Sequence, residues 1–185
     1  MSICDNDSIL FHQACRKIIH QERASMGIGT LSEKTVHAVL KAFYEPDPEH
    51  QEIPVENFVA DILRDGEIIE IQTRGFNKLR RKLDTFLKYY PVTIVYPIVH
   101  TKYLYWIDEE TGEISGGRKS PLKGSPYLAF KELYRIKAYL QDPNLTIRLT
   151  FLNMEEYKLL NGWSRDKKRG SSRYDRIPVS IEREV

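Results

Sequence analysis

Two stretches near the start of the chain carry apolar residues at helical spacing. The first covers residues 8–23 and stops before Gly27-Ile28-Gly29. The second begins at Thr30 and stops at Pro46, because proline cannot continue a helix. The pattern therefore predicts two successive helices. Their apolar positions are Leu10, Ala14 and Ile18 in the first helix and Val36, Leu40 and Phe43 in the second.

The pattern changes to alternation between residues 53 and 73, where β-branched residues are also frequent. Asp65-Gly66 interrupts the alternation, and this dipeptide is a strong signal for a two-residue hairpin loop. We therefore expect two antiparallel strands joined at Asp65-Gly66. Another strand is expected before them, at about residues 53–58.

Helical and strand patterns alternate in the rest of the chain. Residues 74–90 form an amphipathic helical pattern, and the apolar run 92–99 predicts a strand that is buried on both faces. Ser125-Pro126 is an N-cap followed by a first-turn proline, which opens a helix to about position 140. A last strand is expected at residues 146–152. The predicted fold class is α/β, with a central mixed β-sheet flanked by helices.

Length and composition fit one compact unit. The 185 residues are 41% hydrophobic and 29% charged, unlike disordered or low-complexity chains. Cys4 and Cys15 are too few for a disulfide framework, and no signal peptide or membrane-length apolar run is present. We therefore expect a soluble cytoplasmic protein without membrane contact. We expect the chain to divide into a helical extension (1–30), a core domain (31–160) and a basic C-terminal segment (161–185).

The net charge of +2 conceals two oppositely charged halves. Residues 1–70 carry a net charge of −7, and the remaining residues carry +9. Within the second half, residues 163–176 hold six basic and two acidic side chains, and we expect a mobile basic loop there. The asymmetry indicates either cation binding beside polyanion binding or a merely solvated surface.

The predicted hairpin places two acidic side chains opposite each other. A two-residue loop pairs Asp61 with Glu70, and alternation puts both acids and Gln72 on one face of the sheet. The opposite, apolar face carries Ala60, Ile62, Ile69 and Ile71. At about 5 Å and an effective dielectric near 20, repulsion between the acids is about 3 kcal/mol. A bound divalent cation, protonation of one acid, or two ordinary solvent-facing acids would each explain the pair.

Glu33 is a third acid with two explanations. Thr30-Leu31-Ser32-Glu33 has the spacing of a capping box, in which the glutamate reaches back to the cap amide. Glu33 also precedes Val36 on the apolar stripe, so it lies on the helix face that should meet the sheet. Both explanations remain open, and one residue could alternate between the two roles.

These acids and their context resemble the PD-(D/E)XK, or restriction-endonuclease-like, nuclease superfamily. Asp61 is followed, after eight residues, by Glu70-Ile71-Gln72, on a hairpin between a helix with Glu33 and a basic amphipathic helix. The resemblance spans residues 31–99 and implies a restriction-endonuclease-like core of order α-β-β-β-α-β. It also implies hydrolysis of phosphodiester bonds in nucleic acid, with DNA the expected substrate and Mg²⁺ or Mn²⁺ the cofactor. Asp61, Glu70 and Glu33 would then be the metal ligands.

The chain departs from the family pattern at two positions. Ala60 replaces the usual proline before the first acid, and Gln72 replaces the usual catalytic lysine. A glutamine can still hydrogen-bond the attacking water, but it brings no positive charge, which Arg74 or Lys78 could supply instead. Three functions therefore remain open: an active nuclease that uses Gln72, an inactive nucleic-acid-binding module of the same fold, and a structural or assembly protein.

Basic segments outside the hairpin are candidates for contacts with the phosphate backbone, although solvated surface explains each segment equally well. The candidate residues are Arg74, Lys78, Arg118, Lys119, Lys123, Lys167, Lys168 and Arg169. Aromatic residues such as Tyr103 and Tyr105 could stack on bases or pack in the core. The sequence contains no zinc-ligand, phosphate-loop or dinucleotide-binding motif. It leaves the oligomeric state open, with a homodimer as one option.

Overall fold

A mixed seven-stranded β-sheet with helices on both faces forms the centre of the computed structural model, which confirms the predicted α/β class. The structure describes residues 5–26, 33–108, 110–159 and 172–185, and it gives the backbone alone for residues 22–26, 33 and 172–174. The helices are α1 (Asp5–Met26), α2 (Glu33–Tyr44), α3 (Arg80–Phe86) and α4 (Phe130–Leu133). The strands are β1 (Gln51–Val55), β2 (Phe58–Arg64), β3 (Glu67–Ile71), β4 (Val92–Ile107), β5 (Ile114–Lys119), β6 (Leu145–Leu159) and β7 (Ser172–Glu184). Short 3₁₀ segments are Pro48–His50, Phe76–Leu79, Pro126–Ala129 and Tyr134–Tyr139.

The sheet combines an antiparallel meander with parallel strands. Its strand order is β1-β2-β3-β4-β6-β7, and β5 pairs with β4 outside this path. Pairing is antiparallel from β1 to β3, whereas β4 runs parallel to both β3 and β6. α3 lies on the connection from β3 to β4, since parallel neighbours need a crossover rather than a tight turn.

Each face of the sheet has its own hydrophobic core. α1 and α2 cover one face, where Phe11, Leu40 and Leu152 are fully buried. α3 and helical residues 126–139 cover the other face, around Phe76 and Phe86. Ile181 of β7 packs in the same cluster as α1 and α2. The first helix and the last strand therefore share one core with the predicted hairpin.

Several elements differ from the sequence-based expectation. β4 continues beyond the predicted strand at residues 92–99 to Ile107, and β5 is a strand that the pattern does not predict. β7 begins at Ser172, inside the expected mobile loop, while residues 160–171 lie outside the described part of the chain. The strand was not predicted because residues 163–176 are rich in charged residues, and one of them, Asp175, is buried in it.

β3 and β5 lie end to end along the same edge of β4 and leave a notch between them at residues 96–99 of β4. β3 pairs with β4 as far as Val95, and β5 pairs with it from Tyr103. The carbonyl of Val95 accepts the N–H of Gln72 on this edge. Backbone groups alternate along a strand, so the nitrogen of Pro97, two residues after Val95, faces the same edge. This nitrogen carries no hydrogen to donate. Proline fits inside this long strand because its N–H would face the notch.

Candidate active site

The tight hairpin between β2 and β3 forms as predicted. Asp65 and Gly66 have φ values of 50° and 78°, and two successive positive values are what a type I′ hairpin turn requires. The register pairs Arg64 with Glu67, Leu63 with Ile68 and Ile62 with Ile69. These three pairs confirm the predicted register and place Asp61 beside Glu70 at the next position.

The backbone ladder opens at that position, and carboxylates replace carbonyls as acceptors. The N–H of Ile71 donates to Oδ2 of Asp61 at 2.8 Å. The N–H of Asp61 donates to Oε1 of Glu70 at 3.3 Å. Each acid is therefore hydrogen-bonded to the other strand, and the two carboxylates are adjacent at the opened end of the hairpin.

The two acids have their other partners in opposite helix layers. Nε2 of His37, in α2, lies 3.2 Å from Oδ2 of Asp61. Nζ of Lys82, in α3, donates to the two carboxylate oxygens of Glu70 at 2.8 and 3.0 Å. The prediction that alternation places both acids on one face is therefore wrong, because the opened ladder no longer fixes the side-chain directions. Ala60 likewise packs in the core beside α3, whereas Ile62 packs beneath α2.

The pKa values of the two acids shift in opposite directions. Glu70 is only 2% exposed, and burial together with the charge of Asp61 raises its pKa to about 7, against the opposing effect of Lys82. Burial also acts to raise the pKa of Asp61. The hydrogen bonds from His37 and Ile71, with the charge of Lys82, outweigh that effect and lower the pKa below its ordinary value. The site therefore holds an ionised carboxylate beside one that gains a proton readily near neutral pH.

Glu33 and Gln72 are the other two predicted site residues. Glu33 is the first residue of α2, but its side chain and residues 30–32 lie outside what the structure describes, so both explanations of Glu33 stay open. Within the described residues, no group of three or more His, Cys, Asp or Glu side chains has a metal-binding arrangement. Gln72 uses its side-chain N–H to bind the carbonyl of Arg74, which closes the turn after β3.

The positive charge beside Glu70 comes from Lys82, whereas the sequence indicated Arg74 or Lys78 for that role. Lys78 is exposed in the 3₁₀ segment before α3. Lys78 and Lys82 lie four residues apart on one helical stripe, so periodicity alone cannot distinguish them. The packing of α3 against the sheet determines which lysine reaches Glu70. His37 was missed for a similar reason, since a single polar residue beside an apolar stripe gives little signal.

The other predicted basic residues lie away from the acids. Arg118 and Lys119 are exposed on β5, on the far side of the notch. Lys119 and Lys123 border a cavity of about 430 Å³ that is also lined by Tyr103 and Tyr105. Lys167, Lys168 and Arg169 lie outside the described residues. The structure therefore brings Asp61 and Glu70 together but not the whole predicted set.

A second cavity, of about 250 Å³, lies at the notch. Val36, Thr73, residues 96–99 and Leu128 are among its lining residues. Val36 precedes His37 in α2, and Thr73 follows Glu70 by three residues. The cavity therefore borders chain neighbours of the site, while Asp61 and Glu70 themselves do not line it.

Comparison with known proteins matches most of the chain, including this site, to a family model. Residues 34–185 match the model of the family described as Domain of unknown function (DUF8091). An uncharacterized protein from Treponema pallidum (strain Nichols) is 30% identical over 161 residues. The aligned part covers 86% of this chain but only 61% of that relative's length. No solved structure matches the chain. In the described ranges, no helix combines the length and apolarity needed to span a membrane.

Proposed function

We propose that this chain, which belongs to the DUF8091 family, is a metal-dependent hydrolase of phosphodiester bonds in nucleic acid, with DNA as the expected substrate. The observation that carries the proposal is the pair of carboxylates at the opened end of the β2–β3 hairpin. Asp61 and Glu70 are adjacent, buried or nearly so, and electrostatically coupled. Such pairs hold cations that act on phosphate groups.

The topology around the acids supports a restriction-endonuclease-like core. From α2 to β4, the elements follow the order helix, three antiparallel strands, helix, parallel strand. This is the α-β-β-β-α-β order that the resemblance implies. The two acids lie on the second and third strands of that unit, at the positions of the family motif.

The donor chemistry of the acid pair fits Mg²⁺ or Mn²⁺. Both ions prefer oxygen ligands, and Mg²⁺ is commonly held by one or two carboxylates, with water and substrate phosphate completing its shell. Asp61 and Glu70 would hold the ion, and Glu33 remains a proposed third ligand from the resemblance. The Lys82 side chain, which is 24% exposed, has the length to move away from the Glu70 oxygens when an ion binds. When bound, the ion would polarise a phosphate oxygen and acidify a water molecule.

The chain's own residues have distinct roles in this proposal. His37 and the N–H of Ile71 hold the Asp61 carboxylate in a fixed direction. Lys82 takes over the charge that Gln72 cannot supply, because an ammonium beside the reacting phosphate offsets the negative charge that develops there. Gln72 keeps the turn after β3 closed through its bond to Arg74.

One alternative also has support from these contacts. Lys82 neutralises Glu70, and the side chain of Gln72 is engaged in a turn rather than directed at a water molecule. A site of this kind could stabilise a nucleic-acid-binding module that does not cut. The basic surface on β5 would serve such a module equally well.

A nicking assay on supercoiled plasmid with Mg²⁺, Mn²⁺ or EDTA tests the proposal. We expect the parent to nick only with metal, and Asp61→Asn and Glu70→Gln to reduce the rate by roughly 100-fold or more. Asp65→Asn is the matched control, because Asp65 is an exposed acid at the tip of the same hairpin. Nicking by both acid variants at the parent rate would contradict the site. Salt-dependent binding without nicking would select the binding module, and absence of both would select a structural protein.

A further inference from the structure

A stripe of exposed aromatic side chains follows helical residues 126–139, beside the notch. This segment turns one side toward the sheet, where the buried residues are Ala129, Glu132 and Ile136. Its outward side carries Tyr127, Phe130 and Tyr134, which are 74%, 62% and 70% exposed. Their spacing of three and four residues puts the rings on one helical side. We call these three residues the aromatic stripe.

The aromatic stripe is held close to the wall of the notch. Gly124, just before it, packs so closely on β4 that a Cβ atom would lie 2.2 Å from the carbonyl oxygen of Val99. Oγ of Ser125 accepts the N–H of Tyr127 and begins the helical segment. The rings of Tyr127 and Phe130 have centroids 5.7 Å apart in an edge-to-face arrangement. Large exposed rings on a well-anchored segment indicate a binding surface rather than core residues.

The segment that carries the aromatic stripe is mainly basic, although Asp142 follows it and Asp84 of α3 accepts a hydrogen bond from Tyr139 at its end. Residues 118–141 contain six lysine or arginine residues and a single acid, Glu132. That acid is buried, and both of its carboxylate oxygens accept hydrogen bonds from Arg135. Lys131 is exposed, and Nζ of Lys137 lies 5.0 Å from the ring centroid of Tyr134. The surface therefore offers aromatic faces and cations together, which is the combination that binds bases and phosphates.

We infer that the aromatic stripe stacks on unpaired bases of a nucleic-acid strand whose backbone continues into the notch. The inference rests on the proposed function and specifies its substrate class as single-stranded or locally unpaired nucleic acid. Leu128 provides the continuity, since it lies within the stripe segment and also lines the notch cavity with Thr73, three residues from Glu70. Bases of an intact duplex are stacked on each other, so their faces are not accessible to side chains.

Fluorescence anisotropy with labelled oligonucleotides, in EDTA and with the full chain, tests this inference. The probes are a single strand, the matching duplex and an abasic strand of equal length, which keeps the phosphates but has no bases. We expect the parent to bind the single strand most tightly. Tyr127→Ala/Phe130→Ala should weaken that binding by roughly 100-fold, about tenfold for each stacked base. The same variant should bind the abasic strand as the parent does.

Two controls keep the test independent of folding. Tyr127→Phe/Phe130→Tyr retains both rings and should bind the single strand like the parent. Tyr89→Ala removes a ring that is 65% exposed but lies outside the aromatic stripe, and it should leave binding unchanged. Thermal melting of the alanine variant should match the parent, because both substituted side chains are mainly exposed.

Three outcomes would overturn the inference. In the first, the alanine variant binds the single strand as the parent does. In the second, its binding to the base-containing and the abasic strand weakens equally. In the third, the rings contribute to binding of phosphatidylglycerol vesicles but not to binding of oligonucleotides. Because the assay contains no metal, a failed nicking assay leaves its result unaffected. Metal-dependent nicking with no ring dependence of binding would remove the aromatic stripe's role and leave the proposed hydrolase standing.

Discussion

The carboxylate of Asp61 accepts the backbone N–H of Ile71 at 2.8 Å, so one residue serves both as a proposed metal ligand and as the end of the β2–β3 pairing. Repulsion between two neighbouring acids, taken alone, would make removal of either one stabilising. The hydrogen bond to Ile71 reverses that expectation for Asp61. Its loss would leave a buried backbone donor without its acceptor.

Asp61→Ala should therefore lower the free energy of unfolding in metal-free buffer, by about 1–3 kcal/mol. Urea denaturation followed by circular dichroism measures the change. Asp65→Asn, at the exposed tip of the same hairpin, should stay within about 0.5 kcal/mol of the parent. A gain in stability for Asp61→Ala would show that repulsion outweighs the hydrogen bond to Ile71.

Glu70→Gln should make the metal-free protein less sensitive to pH. The folded pKa of Glu70 is raised from 4.5 to about 7, so folding favours its protonated form. The stability contribution of that proton is present below pH 4.5 and is lost as the pH rises through about 7. Between pH 5 and pH 8 the parent should lose about 2 kcal/mol that the variant keeps. Urea denaturation at both pH values measures this difference.

The exposed acid Glu56 supplies the control for that experiment. Glu56→Gln should follow the parent between pH 5 and pH 8, because Glu56 lies in solvent at the turn between β1 and β2. If Glu70→Gln shows the same pH dependence as the parent, Glu70 is ionised throughout that range in the folded protein. The electrostatic account of the site would then be incorrect.

Lys82→Met should raise the pKa of Glu70 further, because it removes the cation that favours the ionised carboxylate. Titration of the Glu70 side-chain carboxyl by ¹³C NMR measures the shift directly. Lys88→Met, an exposed lysine just beyond α3, should leave the titration curve in place. An unchanged curve in Lys82→Met would show that the Lys82–Glu70 ion pair does not form in solution.

Removal of basic side chains should reduce the salt dependence of nucleic-acid binding. Each lost phosphate contact should lower the slope of log K against log salt by about 0.9 for duplex DNA or about 0.7 for a single strand. We predict this for Lys119→Ala/Lys123→Ala and for the alanine substitutions of Lys167, Lys168 and Arg169. Filter binding over a salt series measures both slopes. An unchanged slope would exclude the substituted segment from the contact surface.

The hairpin was predictable because its signals are local. Asp65-Gly66 determines the turn, and the turn determines the register and hence the approach of Asp61 to Glu70. Partners from distant elements were not predictable, because His37 and Lys82 reach the acids only through the packing of α2 and α3. Alternation also failed at Ala60, where the ladder opens and no longer dictates direction. β5 was missed because its Gly116 and Gly117 have the composition of a turn.

The pairing of β4 with β6 fixes the length of the β4 edge that forms the notch. Val95 ends the contact with β3, Tyr103 begins the contact with β5, and β6 braces β4 along the whole interval, apart from a bulge between Val99 and Thr101. Between Val95 and Tyr103, the carbonyls of His100 and Lys102 accept the N–H groups of Gly124 and Ser120. The open edge therefore runs from Val95 to His100, and five residues of extended chain correspond to about 16 Å. The width of the notch is therefore fixed by the sheet. A ligand that contacts both ends of the notch must match this width, because narrowing the notch would require breaking the pairing of β4 with β6.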